Sequence, residues 1–456
     1  MWLAAPVSMG GRMAYRLMLL LLGLAFTLPA ATPAHAANPI TVLEDSAQTN
    51  WPENITFTLR LRATAEITRL RIEYWYTGNT RAAGNPTFTP ASEASAQFVL
   101  RTRGAQDVPP GALITYRYTI EDAAGNTLRT EPKQYRFLDT RYRWQEAQNG
   151  LITVLTNEAT QARAQAILQA AVTTIATIKE QAGVTLDDPL TVVAYRTTAE
   201  LDSAYPPRSL STHGTRAGVA VSGFNVVLVT TEGDAVGTTA HEVTHAVVEA
   251  TVGPGAISAF PMWLNEGLAT YFQPSRGAEW TQYLQQAVRA DRVMPLRFLR
   301  GYPGKEEEWL LVYAQGVSMV KFLLNTYGPE KMGALLRAYR DGDTDERTFE
   351  RVYGKPLSVL ENEWRQSLGL KPLASPQGPS LGGEPQPIPT LPPLTIEQSP
   401  GGRQPVPTPA PSGAASPANR APLAFPLPLL AAGAGAVVVL LVIVVGVVAL
   451  VRRNSL

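Results

Sequence analysis

Uncharged apolar segments near both ends of the chain restrict where the residues between them can fold. The first, residues 17–26 (LMLLLLGLAF), follows the basic residues Arg12 and Arg16 and precedes the sequence AHA at residues 34–36. A basic start, a short apolar stretch and small residues around a cleavage point are typical of a secretory signal peptide. Residues 1–36 are therefore predicted to be removed from the mature protein.

The second apolar segment, residues 429–451, is long enough to cross a membrane. It is free of charged residues and is followed directly by Arg452 and Arg453. At about 1.5 Å per residue it would reach about 34 Å as a helix, which spans a bilayer core. Because basic residues favour the cytoplasmic side, we expect a transmembrane helix within residues 423–451, a cytoplasmic tail at residues 452–456 and an extracytoplasmic body.

Residues 40–138 have the alternating pattern of β-strands. Four stretches alternate between apolar and polar side chains: residues 56–62 (TFTLRLR), 70–76 (LRIEYWY), 113–120 (LITYRYTI) and 134–137 (QYRF). Turn-forming sequences such as PPG at residues 109–111 separate them. Short strands at this spacing predict an all-β sandwich of the immunoglobulin or fibronectin type over residues 37–140. Such a domain can act as a spacer, position its neighbour or bind a partner.

Residues 141–371 form a second predicted domain, of the α+β class. Its first half contains short apolar stretches typical of strands, whereas the residues after Gly237 have helical spacing up to about Ser367. The predicted elements of the first half are strands at residues 152–155 and 190–195, a helix at residues 158–181 and a hairpin at residues 219–230. A strand-rich half followed by a helical half is the α+β plan.

Residues 372–422 are dense in Pro, Gly, Ser and Ala. They can bury little apolar surface, so they are predicted to form a disordered linker between the second domain and the transmembrane helix. The whole chain carries a formal net charge of +1, which gives no indication of nucleic-acid binding. The sequence leaves the oligomeric state open.

The chain has no cysteine and only four histidines. The missing thiols exclude disulfides, cysteine-based metal sites and thiol catalysis. His35 lies in the predicted signal peptide, so the mature protein keeps His213, His241 and His245. His213 either lines a cleft or occupies a surface loop. Any metal must therefore be bound by histidines and carboxylates.

Two of these histidines stand in residues 241–245 (HEVTH), within a stretch predicted to be helical. His241 and His245 are four residues apart, so they project from one face of the helix and can bind one Zn²⁺. Glu242 follows the first histidine directly. In H-E-x-x-H sites this glutamate is the general base, which takes a proton from a water that zinc has made acidic.

A catalytic zinc takes three protein ligands and leaves one position open. No His-x-x-Gly-x-x-His continuation follows His245, so we expect the third ligand to be a carboxylate. Glu266, in residues 263–272 (WLNEGLATYF), is the best placed. The turn-forming sequence GPG at residues 253–255 lets a second helix return past the first and bring Glu266 to the histidines.

The motif pair HEVTH and WLNEGLATYF resembles the peptidase-MA-like gluzincins and, more broadly, the clan of the zinc aminopeptidases and thermolysin. The resemblance covers about residues 150–370. It implies that His241, His245 and Glu266 bind zinc and that Glu242 is the catalytic base. It also implies Tyr313 as a hydrogen-bond donor to an oxyanion, with a core aromatic as the other interpretation of this residue. Thr270 falls where such sites carry a group that orients a histidine.

The chain departs from the aminopeptidase pattern upstream of HEVTH. A Gly-x-Met-Glu-Asn segment, which holds a free N-terminal amine in that family, is absent, and residues 218–223 (GVAVSG) stand at the place of the substrate-pairing strand. The sequence thus predicts an exported, membrane-anchored zinc metallopeptidase for peptide or protein substrates, with its end preference open. The alternatives are a non-catalytic surface binding or adhesion protein with a degenerate peptidase fold and a zinc hydrolase for another acyl bond.

Overall fold

The computed structural model describes most of the chain between residues 39 and 373. The described residues are 39–77, 81–104, 107–157, 160–205, 217–275, 277–301 and 306–373. The predicted signal peptide, transmembrane helix and tail lie outside them, as do His213 and all of the predicted linker except its first two residues, Pro372 and Leu373. Across the described ranges, no helix has the length and apolar character needed to cross a membrane.

The first nine strands form two antiparallel sheets. They are β1 (Ile40–Asn50), β2 (Asn54–Ala63), β3 (Ile67–Tyr76), β4 (Ala82–Gly84), β5 (Thr87–Phe88), β6 (Glu93–Arg101), β7 (Leu113–Asp122), β8 (Thr127–Arg129) and β9 (Lys133–Arg136). One sheet has the order β1-β2-β6-β5, and the other has the order β4-β3-β7-β8 with β9 also paired to β7. Alternate residues along β2 and β7 are buried, as the period of two in the sequence predicts. The expected β-rich N-terminal region is confirmed.

A third sheet follows, with the order β10-β11-β12-β14-β13. Its strands are β10 (Gln145–Asn149), β11 (Ile152–Thr156), β12 (Leu190–Tyr195), β13 (Gly218–Val221) and β14 (Val226–Thr230). The three inner strands β11, β12 and β14 are parallel, while β10 and β13 pair antiparallel at the two edges. The predicted hairpin is confirmed, and it makes β13 an edge strand.

Nine helices complete the described part of the chain, together with short 3-10 turns. They are α1 (Gln161–Ala182), α2 (Thr198–Ala204), α3 (Ala235–Val252), α4 (Met262–Phe272), α5 (Gly277–Arg289), α6 (Glu306–Tyr327), α7 (Pro329–Ala338), α8 (Asp345–Tyr353) and α9 (Leu357–Ser367). Helix α1 lies between two strands of the third sheet, and α3 to α9 follow the last strand. This is the strand-rich half and helical half that the sequence predicts.

The third sheet is a middle layer that is buried on both faces. Along β12, Val192 and Ala194 belong to the core that the helices form, whereas Val193 and Tyr195 belong to the core of the two N-terminal sheets. Burial on both faces explains why β12 is apolar at every residue except Thr191 rather than alternating. The contact is close, since a Cβ added to Gly111 would lie 2.5 Å from Val193 Cγ2. The N-terminal sheets therefore cover one face of the sheet whose other face supports the helices.

Candidate metal centre

Helix α3 carries the HEVTH motif. It begins after Asp234, whose side chain accepts a hydrogen bond from Gly237 N at 2.9 Å and so caps the helix. The next turns bury Val243 and Val247 against the helical core. Because residues three and four apart share a face, burial of these valines turns His241 and His245 towards a different side of the helix.

Helix α4 brings Glu266 to the two histidines. His241 Nε2 lies 3.2 Å from His245 Nε2, and Glu266 Oε2 lies 3.3 Å from His241 Nε2 and 3.6 Å from His245 Nε2. Two ligands that each lie about 2.0–2.1 Å from a tetrahedral zinc are themselves separated by about 3.3 Å. The three atoms therefore have the spacing that one zinc ion requires.

The hydrogen bonding of this cluster is incomplete without a cation. Glu266 Oε2 and His241 Nδ1 are buried and make no hydrogen bond to any described residue. A buried carboxylate oxygen that only faces two imidazole nitrogens is costly unless a positive charge neutralises it. A metal ion between the three side chains would satisfy the carboxylate, and the residues present fit such an ion.

The charges of the site are coupled. Burial acts to lower the pKa of His245, but the carboxylate of Glu266 beside it outweighs burial and raises the pKa to about 9. Burial acts in the opposite direction on Glu266, yet His245 and His241 hold the pKa of this carboxyl well below its usual range. The site therefore keeps the Glu266 carboxylate ionised, as a metal ligand must be, and binding of a divalent metal would release the proton of His245.

Asn265 orients the second histidine. Its Oδ1 lies 3.0 Å from His245 Nδ1, so a proton on Nδ1 leaves the lone pair of Nε2 for the metal. We did not predict this residue from the sequence, although its position directly before Glu266 was a usable signal. Thr270, which the sequence places one turn after Glu266, is different. Its Oγ1 is buried without a hydrogen bond to any described residue, so it orients neither histidine in this structure.

The edge strand β13 holds Glu242. The Glu242 carboxylate accepts a hydrogen bond from Ala220 N at 2.9 Å. The strand can approach this closely because residue 218 is glycine: a Cβ there would lie 2.7 Å from Glu242 Cγ. Two turns further along α3, Glu249 accepts a hydrogen bond from Gly223 N at 2.8 Å. Two carboxylates of the motif helix thus tie the edge hairpin beside the histidines.

A glycine crossing brings α6 to the same site. A Cβ added to Gly267 would lie 2.5 Å from the backbone carbon of Gly316, and one added to Gly316 would lie 2.2 Å from Trp263 O. Only glycines allow helices α4 and α6 to cross at this distance. Because Glu266 and Tyr313 lie within one turn of these glycines, the crossing places both near the histidines.

Tyr313 lies beside the cluster. Its ring centroid is 6.2 Å from that of His241, and its ring stacks on Trp280 at 5.2 Å and on Trp309 at 6.4 Å. The structure therefore brings together the five residues that the sequence analysis assigns to metal binding and catalysis, namely His241, Glu242, His245, Glu266 and Tyr313. The two tryptophans and Ala220 are neighbours that the sequence analysis missed, because nothing local marks a contact between distant elements.

Comparisons with known proteins agree with this arrangement at the level of the family. Residues 170–369 match the model of the Peptidase MA superfamily. The resemblance that the two motifs predict is confirmed over this segment. No curated protein matches the chain.

Three solved structures have local likenesses to the chain. Aminopeptidase A of Legionella pneumophila in complex with aspartic acid is 10% identical over 73% of this chain and 50% of its own, with a TM-score of 0.32. An aminopeptidase N family protein of Idiomarina loihiensis is 10% identical over 63% of this chain and 67% of its own, with a TM-score of 0.29. A β-1,3-glucan-binding carbohydrate-binding module of family 56 is 16% identical over 21% of this chain and 98% of its own, with a TM-score of 0.15. This chain thus spans half of the first protein and two thirds of the second.

Proposed function

We propose that the protein is an exported, membrane-anchored zinc metallopeptidase that hydrolyses peptide bonds in peptides or proteins outside the cytoplasm. The single observation that carries the proposal is the convergence of His241, His245 and Glu266 on one point, next to the carboxylate of Glu242. Two imidazoles and one carboxylate form a donor set typical of catalytic zinc, which keeps one position open. The match to the Peptidase MA superfamily supports the proposal independently of the geometry.

Zinc, when bound, lowers the pKa of a coordinated water to about 7 and polarises a carbonyl oxygen. His241, His245 and Glu266 would hold the ion, and Asn265 would keep His245 in the tautomer that can bind it. The Glu242 carboxylate accepts the proton of the attacking water and delivers it to the leaving amine. The Tyr313 hydroxyl donates a hydrogen bond to the oxygen that becomes negative during attack.

Strand β13 supports a peptide as the substrate. It stands at the edge of the third sheet and pairs with β14 on one side only among the described strands. An extended peptide can add to such an edge through main-chain hydrogen bonds, which recognise any sequence. The strand lacks the glutamate of the aminopeptidase pattern, so we propose that cleavage does not require a free N-terminal amine.

Export and anchoring rest on the sequence of the two termini. The signal peptide at residues 1–36 would direct export, and the helix within residues 423–451 would anchor the chain in the cell membrane. The linker at residues 372–422 would then separate the peptidase-like domain from the membrane surface.

The test is a digest of a peptide library by the full-length protein and by Glu242→Gln. The matched control is Glu330→Gln, which removes a carboxylate from the first turn of α7. We expect cleavage by the wild type and the control, and none by Glu242→Gln with its zinc content unchanged. Zinc binding without any cleavage would favour the first alternative, a non-catalytic surface binding or adhesion protein. Cleavage of esters or other acyl bonds alone would favour the second, a zinc hydrolase for another acyl bond.

A further inference from the structure

Tyr313 is the only aromatic residue in the described part of the chain that touches both the histidine cluster and a pair of indoles. The planes of Tyr313 and Trp280 are 18° apart with centroids at 5.2 Å, and those of Tyr313 and Trp309 are 25° apart at 6.4 Å. Both separations lie within the range of stabilising aromatic pairs. On its other contact, the Tyr313 ring is tilted by 39° against His241.

Trp280 is held in place by its faces rather than by its N–H. The side chain is 7% exposed, and Nε1 makes no hydrogen bond to any residue that the structure describes. Buried tryptophans usually find a hydrogen-bond partner for this N–H. Because the N–H of Trp280 has none among the described residues, stacking and packing of its ring hold the side chain in place. The ring packs in a small cluster with Leu284, Ala314 and Val317, against which Tyr313 also packs.

The packing of Trp280 separates the Tyr313 ring from a cavity. A cavity of about 340 Å³ lies between α5 and α6, and Trp280, Leu284, Val288, Ala314 and Val317 are among its lining residues. Trp280 therefore stands between this empty volume and the tyrosine ring. Without the indole, the Tyr313 ring would have room to rotate towards the cavity and away from the His241 ring.

We propose that Trp280, together with Trp309, is a positioning residue that fixes the Tyr313 ring beside His241. This inference rests on the proposed function, in which the Tyr313 hydroxyl assists the reaction. A hydrogen-bond donor to a transition state is effective only when it is held at its place before the reaction begins. Stacking supplies that restraint, since the Tyr313 ring then cannot turn without losing an aromatic contact. Trp280 acts through Tyr313 and does not itself touch the reacting atoms.

Kinetics of four variants of the full-length protein test the proposal: Tyr313→Phe, Trp280→Leu, Trp280→Phe and the double variant Trp280→Leu/Tyr313→Phe. Tyr313→Phe should lower kcat by about 10²-fold, which is the usual loss for one oxyanion donor. Trp280→Leu should lower kcat by roughly tenfold with little change in KM, and Trp280→Phe should restore most of it because it retains an aromatic face. The double variant should be no slower than Tyr313→Phe alone.

The control for altered packing is Val288→Ala, which lines the same cavity and leaves both indoles in place. It should keep wild-type kcat. Two outcomes overturn the proposal: a double variant slower than Tyr313→Phe by the full factor of Trp280→Leu, or a Val288→Ala variant as slow as Trp280→Leu. The first shows that Trp280 acts independently of Tyr313, and the second shows a general effect of cavity size.

A measurement without turnover separates this proposal from the proposed function. Fluorine NMR of the chain labelled with 3-fluorotyrosine identifies the Tyr313 signal by its loss in Tyr313→Phe. In Trp280→Leu this signal should shift and broaden, whereas in Val288→Ala it should stay in place. If the wild type proves inactive but the signal moves as expected, the proposed function fails and the positioning role stands. An unchanged Tyr313 signal in Trp280→Leu refutes the positioning role whatever the activity.

Discussion

The carboxylate of Glu242 accepts a hydrogen bond from the backbone N–H of Ala220 at 2.9 Å. The edge strand of the third sheet therefore holds the side chain of Glu242, which directly follows the first histidine of the motif. This bond joins two elements whose association the sequence does not show. It fixes the distance between the strand where a peptide would lie and the base that would act on it. The position of Glu242 is therefore set by β13 as well as by α3.

Gly218→Ala tests this contact between strand and base. A Cβ at residue 218 would lie 2.7 Å from Glu242 Cγ and 2.8 Å from Thr238 Cγ2, so either the carboxylate or the strand must shift. We expect a loss of roughly 10²-fold in kcat/KM with unchanged zinc content, because a misplacement of about 1 Å is enough for such a loss. The matched control is Gly255→Ala, where an added Cβ meets nothing within 4 Å. Equal activity of both variants would show that the approach of β13 to Glu242 is unimportant.

Asn265→Ala should weaken zinc binding. The substitution removes the partner of His245 Nδ1 at 3.0 Å and frees the ring to rotate and to change tautomer. Loss of such a partner typically costs 10–100-fold in metal affinity, which competition with a chelator of known affinity measures. Thr270→Val is the control, since Thr270 Oγ1 makes no hydrogen bond to a described residue. If Thr270→Val lowered the zinc affinity as much as Asn265→Ala does, Thr270 would also orient a histidine.

The metal-free protein should lose stability as the pH rises from about 6.5 to about 9. The folded-state pKa of His245 is raised to about 9 by Glu266, against the tendency of burial to lower it. A histidine with a raised pKa contributes fully below its unfolded-state pKa of about 6.5, and its contribution disappears as the pH passes the folded value. The loss is on the order of 1–3 kcal/mol in the free energy of unfolding. Urea unfolding in the presence of a chelator at a series of pH values measures it.

Zinc and His245→Gln provide the two comparisons for that experiment. Zinc takes the place of the proton on His245, so the loaded protein should show no such decline over the same pH range. His245→Gln removes the titrating group and should flatten the curve of the metal-free protein. A decline that persists in His245→Gln would assign the effect to another residue.

Val193→Ala should destabilise the N-terminal sheets and the third sheet together. The side chain of Val193 is fully buried and packs with the N-terminal core, and Tyr195 on the same face bonds to Asp139 through its hydroxyl at 3.2 Å. Truncation of a buried valine costs about 1–3 kcal/mol. Thermal unfolding of the protein should then show one transition for the N-terminal sheets and the third sheet together, and its midpoint temperature should be lower in the variant. Two transitions, only one of which shifts, would show that the two regions fold independently.

The sequence predicts the metal cluster well because its geometry is local. His241 and His245 share one helix, and Glu266 lies on the next helix after a turn, so spacing and helical period suffice to bring the three together. Asn265 stands beside Glu266 but has no property in the sequence that reveals which histidine it contacts. Ala220 and Trp280 reach the site only through the packing of β13 and α5, which no periodicity reports.

The fold, too, is predictable where the sequence pattern is local and not where it depends on contacts between distant elements. Alternation within β2 and β7 predicts the two N-terminal sheets, because one buried face produces a period of two. The largely apolar sequence of β12 predicts a strand buried on both faces. Nothing in the sequence indicates which elements cover Val193 and Tyr195. The cover is formed by the two N-terminal sheets, whose last strand ends at Arg136, far before Val193 in the chain, and contacts of that separation are fixed by tertiary packing.

The metal content of the purified full-length protein tests the central claim most directly. Elemental analysis of the wild type should give about one zinc per chain, and Glu242→Gln should give the same value because Glu242 is not a ligand. Glu266→Ala should lose most of the zinc under identical dialysis, since two histidines remain as the only ligands. A folded wild-type protein that stays free of zinc in zinc-containing buffer, or a Glu266→Ala variant that retains it fully, would contradict the assignment of His241, His245 and Glu266 as the metal site.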